Sequence, residues 1–302
     1  MTNTKIDSGT RVAAVQMASG PRVKANLHEA SRLIRMAADA GAKLVVLPEN
    51  VAIMGMDERD KLAHIEPDSG GPIQDCFAQQ AQRCGVWLVA GTIPMRGRDR
   101  HRARAACLVF NNRGERVARY DKLHLFDVTV EGEAAYQESA TLEPGDEVVT
   151  VDTPFGCMGV AVCYDLRFPE FFRVMLDRGA EFFVLPSAFT ARTGGVHWRP
   201  LLLARAIENQ CYIIAAGQGG YHVNGRETHG DSLVLDPWGV VQDSLYRGSG
   251  VVLGELDRNR LAEVRTRFPS LNHRRLACSH VVGPAESSAS PSPQSRSANH
   301  EA

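Results

Sequence analysis

The sequence contains no long apolar run and no excess of charge of either sign. Its 302 residues carry 34 Lys and Arg against 35 Asp and Glu, a formal net charge of -1. No apolar stretch approaches the ~20 residues of a membrane-spanning helix, and Met1 to Thr10 is too polar for a signal peptide. No basic run with interleaved aromatic residues, typical of nucleic-acid binding, is present. We therefore expect a cytoplasmic globular protein without nucleic-acid or membrane partners.

Cysteine is sparse and irregularly spaced. The seven cysteines are odd in number, so a disulfide framework would leave one thiol over, and reduced thiols are the better interpretation. The sequence has no Cys-x-x-Cys pair and no two histidines at metal-binding spacing. We expect no structural metal and no cofactor.

One cysteine is distinguished by its surroundings. Cys163 ends the apolar run Gly-Val-Ala-Val and is followed at once by Tyr-Asp-Leu-Arg. A strand would hold this thiol rigidly, while the turn after it would expose backbone N–H groups, as an acyl-transfer nucleophile requires. A cysteine that only packs in the core fits the same segment, because free cysteine is among the most buried residue types. The segment alone leaves both interpretations open.

Two other segments place charged side chains just beyond apolar strands. Lys-Leu-Val-Val-Leu-Pro-Glu-Asn ends a short strand with Glu49, and Ala-Arg-Tyr-Asp-Lys-Leu-His places Lys122 just past another. Taken singly, each would be a solvated surface charge, since Glu and Lys are almost never buried without a partner.

In this order, the three segments resemble the glutamate, lysine and cysteine motifs of the nitrilase superfamily of carbon–nitrogen hydrolases. The resemblance runs from residue 11 to about residue 275 and implies an amidase that acts through a cysteine thioester. It makes Cys163 the nucleophile and Glu49 the base that takes the thiol proton and later protonates the amine. Lys122 and the backbone N–H of Tyr164 would hold the oxyanion, and the lysine would favour the thiolate of Cys163.

The resemblance also assigns supporting residues. Glu138 matches a second carboxylate that positions the lysine and the substrate in similar amidases. His124 and His197 match no base of the family, so structural hydrogen bonding is expected of them. Asp165 and Arg167 are expected to brace the turn that carries the nucleophile, with direct substrate contact by Arg167 as a second option.

Strand and helix patterns alternate along the chain. The strand Arg11 to Met17 precedes a helix over Val23 to Ala40, and later a helix over His197 to Asn209 precedes the strand Cys211 to Gly217. Such alternation predicts an α/β fold with helices on the outer sides of the sheets. The resemblance adds the specific arrangement, a four-layer α-β-β-α sandwich of the nitrilase type. The hydrolase domain is expected over residues 10–281, and the Ser/Pro-rich residues 282–302 are predicted to be a disordered tail.

The amino acids within and near the motifs narrow the range of possible substrates. Segments 122–128, 137–139, 185–189 and 204–208 most resemble the branch of deaminated glutathione amidase and omega-amidase, which cleave a γ-amide of a 2-oxoglutaryl group. The first of these activities, release of 2-oxoglutarate and cysteinylglycine, is favoured. Relatives often have Glu where this chain has Arg199, and His where it has Asp231. An arginine near the pocket would favour a more anionic substrate, so Arg199 is a candidate for substrate binding.

Other classes of function stay open at this point. An N-carbamoyl amino acid hydrolase would share the fold and the three motifs. A scaffold protein would need none of the three reactive residues, and a thiol redox protein would need a resolving cysteine, for which only Cys157 is near. The family commonly dimerises, so a homodimer or higher homo-oligomer is expected, with a small-molecule amide as the substrate.

Overall fold

The frame of the molecule is a pair of six-stranded sheets with helices on both sides. The computed structural model describes residues 9–130 and 135–277. The helices are α1 Val23–Asp39, α2 Pro72–Cys84, α3 Pro169–Asp177, α4 Ala191–Asn209 and α5 Arg258–Arg267. The strands are β1 Thr10–Gln16, β2 Leu44–Val46, β3 Trp87–Arg96, β4 Ala103–Phe110, β5 Arg116–Asp121, β6 Asp127–Val128, β7 Tyr136–Gln137, β8 Thr150–Thr153, β9 Gly156–Val160, β10 Phe182–Ser187, β11 Tyr212–Gly217, β12 Gly219–Tyr221, β13 Glu227–His229, β14 Ser232–Leu235, β15 Val241–Leu245 and β16 Gly250–Leu256.

The two large sheets share one plan. The first has the strand order β16-β1-β2-β3-β4-β5 and the second β15-β14-β11-β10-β9-β8. In the first sheet β1, β2 and β3 are parallel, and in the second β9, β10 and β11 are parallel. The strands outside these parallel centres pair antiparallel. Parallel strands end at the same edge of a sheet, so each centre collects the residues that follow its strands at one place.

Alternating side chains divide the first sheet into two buried faces. Val12 and Ala14 belong to the core shared with the second sheet, whereas Ala13 and Val15 belong to the core under α1 and α2. The opposite face of the second sheet is covered by apolar residues of α3 and α4. Because both faces of both sheets are buried, the layers are helix, sheet, sheet and helix. The predicted α-β-β-α sandwich is confirmed.

Helix α1 shows why the sequence folds this way locally. It buries Ala30, Leu33, Ile34 and Ala37, which recur at helical spacing and form one stripe toward the sheet. The chain then turns at Gly41, whose φ of 91° is open to glycine but strained for other residues. The helix predicted over Val23 to Ala40 is therefore present.

Two predicted boundaries and one helix differ from expectation. Strand β9 ends at Val160, so the nucleophile segment reaches Cys163 through two extended residues rather than directly. Helix α4 begins at Ala191 instead of His197, because the Thr190 hydroxyl caps it by accepting from the Thr193 N–H at 3.3 Å. Helix α5 was not predicted; the Asp257 carboxylate caps its first turn.

Three further expectations concern membrane-spanning helices, the cysteines and the C-terminal tail. Within residues 9–130 and 135–277, no helix combines the length and apolarity needed to cross a membrane. The six cysteines of these residues are free thiols. The tail predicted over residues 282–302 lies outside the described residues.

Candidate active site

Glu49 enters the interior from the carboxyl end of β2. The Leu47 N–H still donates to the Val89 carbonyl at 2.9 Å, and Asn50 then turns the chain with a φ of 56°. Gly91 of β3 allows this approach, because a Cβ at that position would overlap the Pro48 carbonyl oxygen. The carboxylate of Glu49 is thus fixed by backbone geometry and is almost fully buried.

Lys122 follows β5 and points into the same interior. Its N–H donates to the Ala105 carbonyl at 3.0 Å, and its own carbonyl accepts from the Gly145 N–H at 2.8 Å. Backbone bonds on both sides hold the residue, and its side chain is only 1% exposed. A buried lysine needs charged partners, and Glu49 and Glu138 supply them.

Cys163 opens a short 3-10 turn that runs from Cys163 to Arg167, after β9 of the second sheet. Its φ of 48° is in the left-handed region, which costs a non-glycine residue roughly 1–3 kcal/mol and occurs most often at functional sites. Asp165 braces the turn, as expected, because its Oδ2 accepts from the Val162 N–H at 2.8 Å and from the Tyr120 hydroxyl at 2.6 Å. The thiol is thereby held at one position.

The three motif residues and Glu138 meet in one cluster. The Lys122 Nζ lies 2.7 Å from Oε1 of Glu49, and 3.0 and 2.8 Å from the two oxygens of Glu138. The Cys163 thiol lies in the same cluster, where the Glu49 carboxylate raises its pKa and the backbone N–H of Ala188 lowers it. Groups that are far apart along the chain therefore share one buried site.

Electrostatics in this cluster favour a protonated lysine and a neutral thiol. Burial opposes the charge of Lys122, but the carboxylates of Glu138 and Glu49 outweigh it and raise its pKa well above the usual range. Burial first, and Glu49 second, raise the pKa of Cys163 well above the usual range, against the smaller opposing effect of Lys122. Lys122 lowers the pKa of the Cys163 thiol, as expected, but burial and the adjacent carboxylate outweigh its effect.

A cavity that opens to the surface gives small molecules access to this cluster. Its wall includes Glu49, Lys122, Glu138, Cys163 and Tyr164. The remaining lining residues are Asn50, Glu58, Lys61, Phe126, Arg167, Ala188, Phe189, Thr190, Thr193 and Arg226. The wall combines charged side chains with the aromatic rings of Phe126, Tyr164 and Phe189, so the cavity suits a polar ligand.

Tyr164 and Arg167 lie in the same turn and line the cavity. As an early residue of the turn, Tyr164 has an N–H without an acceptor inside the turn. The Arg167 guanidinium lies 5.8 Å from the Tyr164 ring centre and 5.3 Å from that of Phe189. Its Nη1 is 3.1 Å from Nδ1 of His197, whereas the His124 ring bonds Asp165 at 2.7 Å. Both histidines are thus hydrogen-bonding partners of the turn.

Arg199 does not line this cavity within the part of the chain that the structure describes. Its Nε and Nη2 donate to the two carboxylate oxygens of Asp231, both at 2.6 Å. The two departures noted in the sequence thus form one bidentate pair, which joins α4 to the turn before β14. The predicted substrate contact by Arg199 is not supported, because its charge is directed to a buried carboxylate instead.

Sequence reasoning missed several residues of the site. Ala188 follows β10, which is parallel to β9, so the strand-end argument used for Cys163 would have found it. Glu58 and Arg226 come from loops and Lys61 from the short 3-10 helix Asp60–His64, and none of them follows a strand of the large sheets directly. Among the described residues, no three His, Cys, Asp or Glu side chains are grouped as metal ligands.

Comparison with known proteins agrees with this geometry. Residues 11–266 match the carbon–nitrogen hydrolase family. A Synechocystis protein named deaminated glutathione amidase is 43% identical over 267 residues, which covers 87% of this chain and 97% of that protein. A human protein of the same name is 40% identical over 268 residues, with 87% and 82% covered. The crystal structure of Saccharomyces cerevisiae Nit3, a member of branch 10 of the nitrilase superfamily, superposes with a TM-score of 0.80 at 31% identity, covering 90% of this chain and 99% of that one.

Proposed function

The chain belongs to the carbon–nitrogen hydrolase family, and on that premise we propose that it hydrolyses deaminated glutathione to 2-oxoglutarate and cysteinylglycine. It is an enzyme that acts on amides. The observation that carries the proposal is the convergence of Glu49, Lys122 and Cys163 on one cavity wall. The substrate is inferred from relatives that bear the name deaminated glutathione amidase at 38 to 43% identity.

The first half of the reaction forms a thioester. The Cys163 sulfur attacks the amide carbon, and its proton passes to the Glu49 carboxylate, which lines the same cavity. Glu49 then gives the proton to the amine nitrogen as the carbon–nitrogen bond breaks, and cysteinylglycine leaves.

The second half consumes water. Glu49, again ionised, takes a proton from a water molecule whose oxygen attacks the thioester carbon. The carbon–sulfur bond breaks, the proton returns to the sulfur, and 2-oxoglutarate leaves. One carboxylate therefore serves as base and acid in both halves.

Lys122 and Tyr164 would hold the negative oxygen that forms in each half. The three N–H bonds of the Lys122 ammonium face one oxygen of Glu49 and both oxygens of Glu138. By giving up one of its two contacts to Glu138, the lysine can direct an N–H to the oxyanion and stay paired with both carboxylates. Glu138, itself fixed by the Phe126 N–H at 2.8 Å, is thus a positioning residue.

Arg167 is the candidate for the carboxylate of the 2-oxo acid. It lies in the nucleophile turn, faces the cavity and bonds the His197 ring rather than a carboxylate. A guanidinium offers several N–H donors, so one contact to an imidazole leaves donors for an anionic substrate group.

Two neighbouring activities are the competing candidates. Omega-amidase activity on 2-oxoglutaramate would release ammonia, and an N-carbamoyl amino acid hydrolase would release ammonia and carbon dioxide from a ureido substrate. Glu49, Lys122, Glu138 and Cys163 would have the same roles in each reaction. The part of the cavity that receives the leaving amine distinguishes the two amidases, whereas a carbamoyl substrate also differs in the group on the acyl side.

The test is a substrate panel with matched variants. Purified enzyme is incubated with deaminated glutathione, 2-oxoglutaramate and an N-carbamoyl amino acid, and 2-oxoglutarate or ammonia is measured. We expect the highest kcat/KM with deaminated glutathione and loss of all turnover in Cys163→Ala. Cys157→Ala, which removes a half-buried thiol outside the cavity, is the control and should retain activity. Unchanged turnover in Cys163→Ala would refute the thioester route.

We also propose, from the family resemblance alone, that the enzyme works in the cytoplasm as a homo-oligomer. Size-exclusion chromatography with light scattering tests the assembly: a mass of one chain, 33.0 kDa, would contradict it.

A further inference from the structure

Part of the cavity wall comes from two loops that lie outside both large sheets. Glu58 and Lys61 belong to the segment after β2, and Arg226 belongs to the loop between β12 and β13. One oxygen of Glu58 accepts from Arg226 Nη1 and the other from Lys61 Nζ, each at 2.7 Å. We call Glu58, Lys61 and Arg226 the loop cluster.

The loop cluster has two cationic side chains and one carboxylate, so one positive charge is not neutralised. Two cations share a single carboxylate, and burial, which would raise the pKa of Glu58, is outweighed by Lys61 and Arg226, which lower it. Glu58 is therefore ionised, and the net charge of the loop cluster is about +1 at neutral pH. Each cation gives one donor to Glu58 and has further N–H groups beside the cavity.

The loop cluster is held in place before any ligand arrives. The Asn224 side chain joins the two loops, because its Nδ2 donates to the Gly55 carbonyl at 2.7 Å and its Oδ1 accepts from the Arg226 N–H at 3.0 Å. The Arg226 guanidinium also lies 5.2 Å from the Tyr136 ring centre. A cation fixed on several sides binds an anion at a lower entropic cost than a free side chain does.

Arg226 also marks where the cavity opens. It lines the cavity that contains Cys163 and, in addition, an outer groove with Arg192, Glu227 and Arg247 on its wall. A ligand bound at the nucleophile and extending outward would pass this residue.

We propose that the loop cluster is the subsite for the terminal carboxylate of the leaving dipeptide. This inference rests on the proposed function, because deaminated glutathione has one carboxylate on the acyl side of the scissile amide and another at the glycine end. Arg167, in the nucleophile turn, binds the carboxylate on the acyl side. The loop cluster binds the carboxylate at the glycine end. The substrate 2-oxoglutaramate has no second carboxylate, so the loop cluster selects for the longer amide.

The experiment compares three substrates on wild type and Arg226→Gln. The substrates are deaminated glutathione, its C-terminal glycinamide, which lacks the second carboxylate, and 2-oxoglutaramate. We expect Arg226→Gln to lower kcat/KM for deaminated glutathione by about 10- to 100-fold, mainly through KM, as expected for one charge-assisted pair. The loss on the other two substrates should be at least tenfold smaller. Arg226→Lys should recover part of the loss, because it keeps the charge but not the fork of donors.

The control is Arg247→Gln, which removes a cation of the outer groove that is paired with Glu227 at 2.7 Å. It should change all three substrates by less than about twofold, as a surface charge does. Equal losses on all three substrates in Arg226→Gln, or no loss on any, would overturn the subsite while the proposed function stands. A wild-type enzyme that releases no 2-oxoglutarate from deaminated glutathione would overturn both.

Discussion

Two charged clusters lie back to back at the end of β5, and they differ in surroundings and composition. Consecutive residues of a strand face opposite sides, so Asp121 points one way and Lys122 the other. Lys122, Glu49 and Glu138 form the inner cluster, while Asp121 joins Arg104, Arg119, Glu143 and Asp68 in an outer cluster. Side-chain exposure is 1% at Lys122 but 63% at Asp68.

The difference concerns burial and the groups that lie beside each cluster. The inner cluster has two carboxylates for one ammonium, so one carboxylate keeps capacity to accept the proton of Cys163. In the outer cluster Arg104 contacts Asp121 at 3.1 Å and Glu143 at 2.7 Å, and Arg119 contacts Asp121 at 2.8 Å. There each carboxylate contacts a guanidinium, and no thiol is among their partners within the described residues, so none of them has a nucleophile's proton to accept. We infer that the inner cluster serves chemistry and the outer cluster stability.

The sharpest way to break this comparison is to remove the charges of the two adjacent residues. Lys122→Met should lower kcat/KM by at least about 10³-fold, because it removes an oxyanion donor and leaves two buried carboxylates unpaired. Asp121→Asn should stay within about threefold of wild type. Steady-state kinetics below the melting midpoint of each variant provide the measurement. Similar losses in both variants would show that the clusters are not separate.

Next in size is the loss of the proposed base. Glu49→Gln should lower kcat by about 10²- to 10⁴-fold, the usual contribution of a general base. Because the Glu49 charge raises the pKa of Cys163, the substitution should lower that pKa. The rate of iodoacetamide labelling at Cys163, followed against pH, reports it. A thiol that titrates at higher pH in the variant would contradict the assigned electrostatics.

A stability effect without an activity effect is expected from the outer cluster. The Arg104 side chain is 8% exposed and contacts two carboxylates that are also largely buried. Arg104→Met should lower the free energy of unfolding by about 1–3 kcal/mol, because Glu143 loses its cation while Asp121 keeps Arg119. Urea unfolding measures the loss, and kcat should stay within about threefold. A large fall in kcat at full folding would place Arg104 in the catalytic machinery instead.

The smallest expected effect is the pH dependence of the stability that Glu143 contributes. Burial opposes the charge of Glu143, but the Asp99 N–H and Arg104 outweigh it and lower its pKa below the ordinary 4.5. A lowered pKa contributes stability that is present above pH 4.5 and is lost as the pH falls through the folded value. Glu143→Gln should therefore cost about 1 kcal/mol at pH 7 and progressively less below pH 4.5. Unfolding curves across pH test this, and a pH-independent cost would contradict it.

The fold and the centre of the site were largely predictable, for different reasons. Helix α1 and the strands near it follow from periodicity and a terminal glycine. The convergence of Glu49, Lys122 and Cys163 followed from family resemblance, since no local signal joins residues so far apart. The position of Cys163 beyond the end of β9 was not visible, because the apolar run continues past the last ladder bond at Val160.

Other features depend on tertiary contacts that a single sequence does not contain. Arg199 and Asp231 each looked like a separate departure, and only the fold brings them together as one pair. The early start of α4 depended on the Thr190 cap, which Gly194 and Gly195 concealed by weakening the helical pattern. The direction in which the pKa of Cys163 shifts required the burial of the thiol to be known, because Lys122 acts in the opposite sense.

Glu49 and Lys122 are attached to the first sheet, whereas Cys163 is attached to the second. The rate of turnover therefore depends on the relative position of the two sheets. A shear of about 1 Å along that seam could slow the reaction about a hundredfold while both hydrogen-bond ladders stay intact. During gradual denaturation, activity should then disappear before circular dichroism changes, and a chain severed between the sheets would regain it only on reassociation.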